Sequence, residues 1–188
     1  MLKLAMNYKT YSTDGFVLAR RNFSEGDRIL VLFTKDFGKI SVIAKGVRKV
    51  TSRKRGGIEI FNKIRFSAVK GKSLDILTEV KVIDSYDEVR SSLRKISVAY
   101  YFCEVVGRVT RDDEKHEEVF NILQSYFEKL EGSRNLKELR LRFVNQLLII
   151  LGFWPEGKEM KDPDKILESV IERKINSSRI GKKMLQQG

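Results

Sequence analysis

Between residues 15 and 84 the apolar positions come in short runs broken by turn-forming residues. GFVLARR, RILVLFT, GKISVIA, IEIFNKIRFSAV and SLDILTEVKVI are the runs; Ser-Glu-Gly-Asp, Lys-Asp-Phe-Gly, a basic stretch and Lys-Gly-Lys separate them. Branched and aromatic side chains suit a pleated, half-buried surface, and the breaks carry turn chemistry, so the pattern predicts five strands. Ile58, Ile60, Ile64 and Phe66 alternate, as do Leu74 and Ile76, although Leu77 departs from a strictly two-faced strand. Five closely spaced strands predict a small barrel, with Phe16, Phe33, Phe61 and Phe66 in its core.

Near Ser85 the period changes. Leu93, Ile96, Ala99, Tyr100, Cys103 and Val106 recur at helical spacing. A second helix carries Val119, Phe120, Leu123, Tyr126, Phe127 and Leu130 and stops at Gly132. A third carries Leu136, Leu139, Phe143, Val144, Leu147, Leu148 and Leu151 and stops at Gly152. Extra apolar residues at Leu141 and Ile150 predict that this third helix is central, touched on more than one side. Asp162-Pro163 reads as an N-cap followed by Pro at the first helical position, opening a short helix over Ile166, Leu167, Val170 and Ile171. The expected class is therefore α+β, all-β and then all-α: a barrel domain over 1–85 and a helical domain over 86–188, with no flexible linker between them.

Charge sharpens this division. The 188 residues are 41% hydrophobic and 33% charged, enough for a real core, and the formal net charge is +12. Residues 1–85 hold 18 Lys and Arg against 8 Asp and Glu, whereas 86–188 hold 19 against 17. An excess confined to one half points to a basic binding module joined to a nearly neutral one, and makes a polyanion the first class of partner. Its densest part follows the third strand, where Lys45, Arg48, Lys49, Arg53, Lys54 and Arg55 occur without one acidic residue. Such a cluster repels itself and is costly to bury, so the loop is either merely solvated or waits for an anion.

Catalytic and metal chemistry find no assembled candidate. Cys103 and His116 are single copies, which excludes an internal disulfide and a four-ligand Cys/His zinc cluster and fits a reducing cytoplasm. Lys70-Gly71-Lys72-Ser73 is a remnant of a phosphate loop at most. Asp112, Asp113 and Glu114 precede a helix, where acidic residues favour the positive end of its dipole, and consecutive residues rarely aim at one ion. Cys103 falls on an apolar helix face, as an inert buried thiol does. The longest apolar run, Leu147 to Trp154, is far short of the roughly 18 residues that span a bilayer. A cytoplasmic, nucleoid-associated protein that is not an enzyme and needs no cofactor is expected.

Binding chemistry remains. The candidate nucleic-acid contacts are Arg20, Arg21, Lys35, Lys39, Lys45, Arg48, Lys49, Arg53, Lys54 and Arg55, because cations along a groove pair with phosphates and release condensed counterions. Arg28, Lys63, Lys70 and Lys72 widen the track. Gly46, Gly56 and Gly57 let the loop backbone approach a strand closely. Phe37 and Phe23 lie in turns and are candidates for stacking on bases.

In order and spacing these pieces resemble the RecO family of DNA-repair and recombination-mediator proteins. The matching residues are GFVLARRNFSEGDRILVLFTKDFGKISVIAKGVRK, then LDILTEVKVIDSYDEVRSSL, the aromatic helix AYYFCEVV, LGFWP and the closing NSSRIGKKML. The resemblance implies an oligonucleotide-binding (OB) barrel followed by a helical domain. It further implies binding to single- and double-stranded DNA, annealing of complementary strands, and loading of a RecA-type recombinase onto DNA coated by single-stranded DNA-binding protein (SSB), with RecR as partner. The helical half would dock the acidic, apolar-ended SSB tail, with Arg140, Arg142, Arg173 and Lys174 as candidate charge partners. Many RecO proteins carry a cysteine zinc module after the segment matching LGFWP; EGKEMKDPDK has no cysteine here, so a zinc is not carried over. Two other classes are kept: an RNA-binding OB-fold protein of the translation machinery, and a metal-dependent nuclease using Asp112 and Asp113.

Overall fold

The computed structural model describes residues 9–52 and 54–172. Five strands, β1 (Thr10–Asn22), β2 (Arg28–Thr34), β3 (Gly38–Ala44), β4 (Lys63–Val69) and β5 (Asp75–Asp84), close into a barrel in the order β1-β2-β3-β5-β4. The β1–β2, β2–β3, β1–β4 and β4–β5 pairs are antiparallel. Only the short β3–β5 contact, Val42 with Asp75 and Ile43 with Ile76, is parallel. This is the OB-fold arrangement. β1 serves two partners: Thr10–Phe16 pair with β4 and Gly15–Asn22 with β2, and the register slips between Val17 and Ala19. A bulge there bends the strand so that both halves stay laddered.

The barrel interior holds Val17, Leu30, Leu32, Ile40, Val42, Ala44, Val47, Ile58, Ile64, Phe66, Ala68 and Leu77. Burying each larger side chain is worth about 1.5–3 kcal/mol. Phe16, Phe33, Phe61 and Phe66 are all buried, as their strand patterns predict. The fourth run is shorter than expected, because Ile58 lies in a one-turn 3-10 helix (Arg55–Ile58) and β4 starts only at Lys63. Phe61 adopts φ 60, and the backbone hooks over β1 instead of extending the ladder. The Phe61 N–H donates to the Val17 carbonyl (2.8 Å) and the Val17 N–H to the Asn62 carbonyl (3.0 Å).

This 3-10 turn closes the barrel where β3 and β5 diverge. Val47 and Ile58 enter the core from the basic loop, and Lys54 Nζ donates to the Leu77 carbonyl at 3.0 Å. Gly57 is buried against β5; a Cβ there would stand 2.6 Å from Val80 Cγ1. So the loop from Lys45 onward is part of the barrel wall as well as its most cationic surface.

The described residues form two compact units, 9–87 with 111–117, and 88–110 with 118–172. The segment 111–117 thus belongs with the barrel: the Asp113 N–H donates to the Lys39 carbonyl (2.9 Å) and Lys39 Nζ lies 3.3 Å from Asp112.

The helical unit is built from α2 (Leu93–Val109), α3 (Glu117–Gly132) and α4 (Leu136–Ile150), preceded by a single turn, α1 (Asp87–Arg90). Residues 163–172 form α5, opened by Asp162, whose Oδ1 accepts from the Lys165 N–H at 3.1 Å. Phe102 is the hub of the core, 4.2 Å from Phe143 between ring centroids and edge-on to Tyr126 and Phe127. Cys103 is buried among these apolar faces. The buried stripe of α4 is Phe143, Val144, Leu147 and Leu148, with Leu141 half-buried and Ile150 37% exposed; Phe143 meets Phe102 of α2 and Tyr126 of α3. Arg140 clasps Asp164 through two hydrogen bonds (3.0 and 2.6 Å) and lies over the Tyr101 ring. Burial and the Asp164 charge push the Tyr101 hydroxyl up to about 12.

Candidate nucleic-acid interface

The turn between β1 and β2, residues 23–27, and the basic loop between β3 and β4 are bound together. The Arg48 N–H donates to the Gly26 carbonyl (2.9 Å), the Arg48 guanidinium to the Ser24 carbonyl (2.9 Å), and the Gly46 N–H to Asp27 Oδ1 (2.7 Å). Asp27 is therefore a clamp. Gly46 takes φ +65, a left-handed conformation that glycine adopts without strain, and the Lys49 stem lies over both Gly26 and Gly46. Within the loop the Lys49 N–H bonds to the Gly46 carbonyl (3.1 Å) and the Ser52 N–H to the Lys49 carbonyl (3.0 Å), which organises it as successive turns.

This end of the barrel gathers most of the predicted cations. Arg21, Lys45, Arg48, Lys49 and Arg55 are exposed there. Arg20 is half-buried and ion-paired with Glu59. Burial holds the Arg28 guanidinium below its ordinary value, and the positive charges of Arg20, Arg48 and Arg55 push the same way against the opposing Glu59. Those charges feel one another, and a bound phosphate would relieve their repulsion. Lys54 spends its ammonium on the β5 backbone. Arg53 lies outside the described residues.

Three predicted residues are placed elsewhere. Lys35 and Phe37 belong to the β2–β3 turn, at the other end of the seven-residue strand β2, roughly 20 Å away at about 3.3 Å per residue. Lys39, the second residue of β3, lies at that same end and pairs with Asp112. Phe37 packs edge-on against Tyr11 with centroids 4.8 Å apart, Tyr11 donates to Asp75 (2.7 Å), and Lys70 lies over the Tyr11 ring. The single cationic track expected from the sequence is thus split between two ends of the barrel, because β2 runs between the turns that carry it.

Among the described residues no three His, Cys, Asp or Glu side chains come together as a metal cluster would require, and Asp112 is occupied with Lys39. None of the described helices is long and apolar enough to cross a membrane.

Comparison with known proteins assigns both units. The family model described as Recombination protein O N terminal matches residues 6–86, and that described as Recombination protein O C terminal matches residues 90–159. The chain belongs to the RecO family. A protein of Pelotomaculum thermopropionicum named DNA repair protein RecO is 34% identical over 147 residues, covering 78% of this chain and 57% of the relative. One of the same name from Symbiobacterium thermophilum is 32% identical over 146 residues, covering 77% and 58%. The chain thus spans less than three fifths of the length of these RecO relatives.

Sequence reasoning passed over Arg65 and Lys81. With Lys54, Ser12, Ser67 and Thr78 they line a groove of about 560 Å³ on the outer face of β1, β4 and β5. Arg65 is held by Asp14 through two hydrogen bonds (2.7 and 3.1 Å). Their outward positions opposite each other in the β4–β5 register were the available signal. In this RecO-family barrel Phe23 is 59% exposed and Phe37 39% exposed and packed on Tyr11, so the two turn aromatics, alike in sequence, differ in availability.

Proposed function

We propose that this chain is a DNA repair and recombination mediator that binds single- and double-stranded DNA through the cationic end of its barrel and anneals complementary strands. The observation that carries this is the convergence of Arg20, Arg21, Arg28, Lys45, Arg48, Lys49 and Arg55 on the basic loop and on the strand ends beside the β1–β2 turn it is locked to, in an OB barrel of a RecO-family chain. Phosphates of two strands held at one cationic surface repel each other less, so complementary bases can meet and pair; no covalent bond changes. Lys35, Lys39 and Phe37, at the far end, would contact only a strand that continues along the barrel.

The helical unit offers a place for the acidic, apolar-ended tail of SSB. A pocket of about 480 Å³ is lined by Tyr126, Leu141, Met160 and Pro163 and rimmed by Lys129, Arg142 and Lys161. Asn145 and Gln146 complete a mixed lining, in which apolar side chains beside the basic rim would suit such a peptide. Of the charge candidates, Arg142 is itself paired with Glu138, Arg140 is spent on Asp164, and Arg173 and Lys174 lie outside the described residues. RecR and a RecA-type recombinase are partners that the family resemblance implies.

The test is annealing of complementary oligonucleotides by a Lys45→Ala, Lys49→Ala, Arg55→Ala variant, alongside affinity measured across a salt series. Removing three phosphate contacts should lower the salt slope for single strands by roughly 2 and slow annealing in parallel. An unchanged slope with undiminished annealing would remove this surface from the mechanism.

A further inference from the structure

The cationic end carries two apolar side chains that electrostatics alone does not explain. Phe23, in the β1–β2 turn, is 59% exposed, and Val50, in the basic loop, is 90% exposed. Isolated exposed apolar residues are ordinary. These two differ in their setting, because both loops are held by backbone hydrogen bonds. The Phe23 N–H donates to the Asp27 carbonyl at 3.2 Å, Asp27 in turn accepts from the Gly46 N–H, and Arg48 binds both Ser24 and Gly26. A Cβ added at Gly26 would sit 3.7 Å from the Gly46 Cα, so the two loops are already in contact. A large ring is thereby kept in water on a turn braced from the neighbouring loop, with Arg21 at the end of β1, Arg48 and Lys49 in that loop, and the exposed Glu25 on the turn itself.

An aromatic face among cations is the chemistry that takes an unpaired nucleobase: the ring stacks on the base while guanidinium and ammonium groups hold the flanking phosphates. A duplex offers the phosphates but keeps its base faces stacked inside. We propose that Phe23 is a stacking platform that distinguishes single-stranded from double-stranded nucleic acid at this end of the barrel. This rests on the phosphate-binding reading of the same surface. It adds the element that senses whether bases are unpaired, and places it in the β1–β2 turn instead of at Phe37.

The experiment measures binding of wild type, Phe23→Ala and Phe23→Trp to an oligodeoxythymidylate, to a strand of equal length whose central nucleotides are abasic, and to a duplex of equal length, across a salt series. Phe23→Ala should weaken thymidylate binding about 5- to 150-fold, leave the salt slope and duplex affinity unchanged, and bind the abasic strand as wild type does. Phe23→Trp should retain or exceed wild-type affinity for thymidylate. If Phe23→Ala leaves thymidylate affinity within about twofold of wild type, or weakens strand, abasic strand and duplex equally, the platform is overturned. The surface reading fails separately, through an unchanged salt slope in the triple lysine and arginine variant. Phe23 is exposed, so its replacement leaves the barrel core intact.

Discussion

Gly38 opens β3 with φ +68, and the segment 111–117 passes directly over it. A Cβ built at Gly38 would lie 1.9 Å from the Glu114 carbonyl oxygen and 2.5 Å from its carbon. Gly38→Ala therefore meets two separate penalties. The left-handed backbone costs a side-chain-bearing residue about 1–2 kcal/mol. The clash is with backbone, which cannot rotate aside, so the segment must lift. Lifting breaks the Asp113 N–H bond to the Lys39 carbonyl, worth about 1 kcal/mol, and the Lys39–Asp112 pair. Asp112 is 76% exposed, so that pair adds at most a fraction of 1 kcal/mol. The sum is about 2–4 kcal/mol.

Gly46→Ala is the internal control. Gly46 has nearly the same φ, +65, but the nearest atom to a Cβ there is Lys49 Cδ at 3.9 Å, so only the backbone penalty applies. Urea unfolding followed by a barrel-specific signal should place the Gly38→Ala midpoint below that of Gly46→Ala by about 1 M, given a denaturant slope of about 1–2 kcal/mol/M. Equal midpoints for the two variants would refute the claim that segment 111–117 is fastened to the barrel at this glycine.

Two more outcomes follow from particular contacts. Burial opposes ionisation of Asp75, but its bonds from Tyr11, Lys70 and the Gly71 N–H outweigh burial and hold the carboxyl below its ordinary value. A lowered folded value gives stability that is full above the usual carboxylate range and lost as pH falls through it. Asp75→Asn should thus cost about 1 kcal/mol at pH 7, with the gap to wild type closing below about pH 4; a gap constant from pH 7 to 3 would contradict this. On the helical unit, Lys129→Glu with Lys161→Glu should weaken an acidic, apolar-ended peptide at least about tenfold, since two rim attractions become repulsions. Unchanged affinity by calorimetry would exclude that pocket.

The parts of this molecule that could be read from its sequence are those whose cause is local. Strands β2 and β3 and helices α2 to α4 follow from periodicity, because a face of Leu30 and Leu32 or of Phe143, Val144, Leu147 and Leu148 repeats within one element. The cationic loop was legible for the same reason: its charges are consecutive. What could not be read depends on partners distant in sequence. Ile58 and Ile60 alternate like a strand, yet Phe61 turns back because its N–H finds the Val17 carbonyl, 44 positions earlier. Gly38 looks like turn punctuation, and only the passage of Glu114 across it gives it a second task.

The same distinction governs the site. Lys35, Phe37 and Lys39 are closer in sequence to the basic loop than Arg20 and Arg21 are, yet strand direction sends them to the opposite end of the barrel and brings Arg20 and Arg21 beside it. Phe23 and Phe37 share composition and turn context; Tyr11, at the start of a strand that must pair with β4, takes up the second ring and not the first. Density of charge along a chain thus identifies a binding module, whereas the topology decides which of its charges and rings can act on one ligand. For an OB barrel that topology is fixed by the β1-β2-β3-β5-β4 closure. The cations on the strand ends beside the β1–β2 turn and those at Lys45, Arg48 and Lys49 then share one end of the barrel, and those of the β2–β3 turn do not.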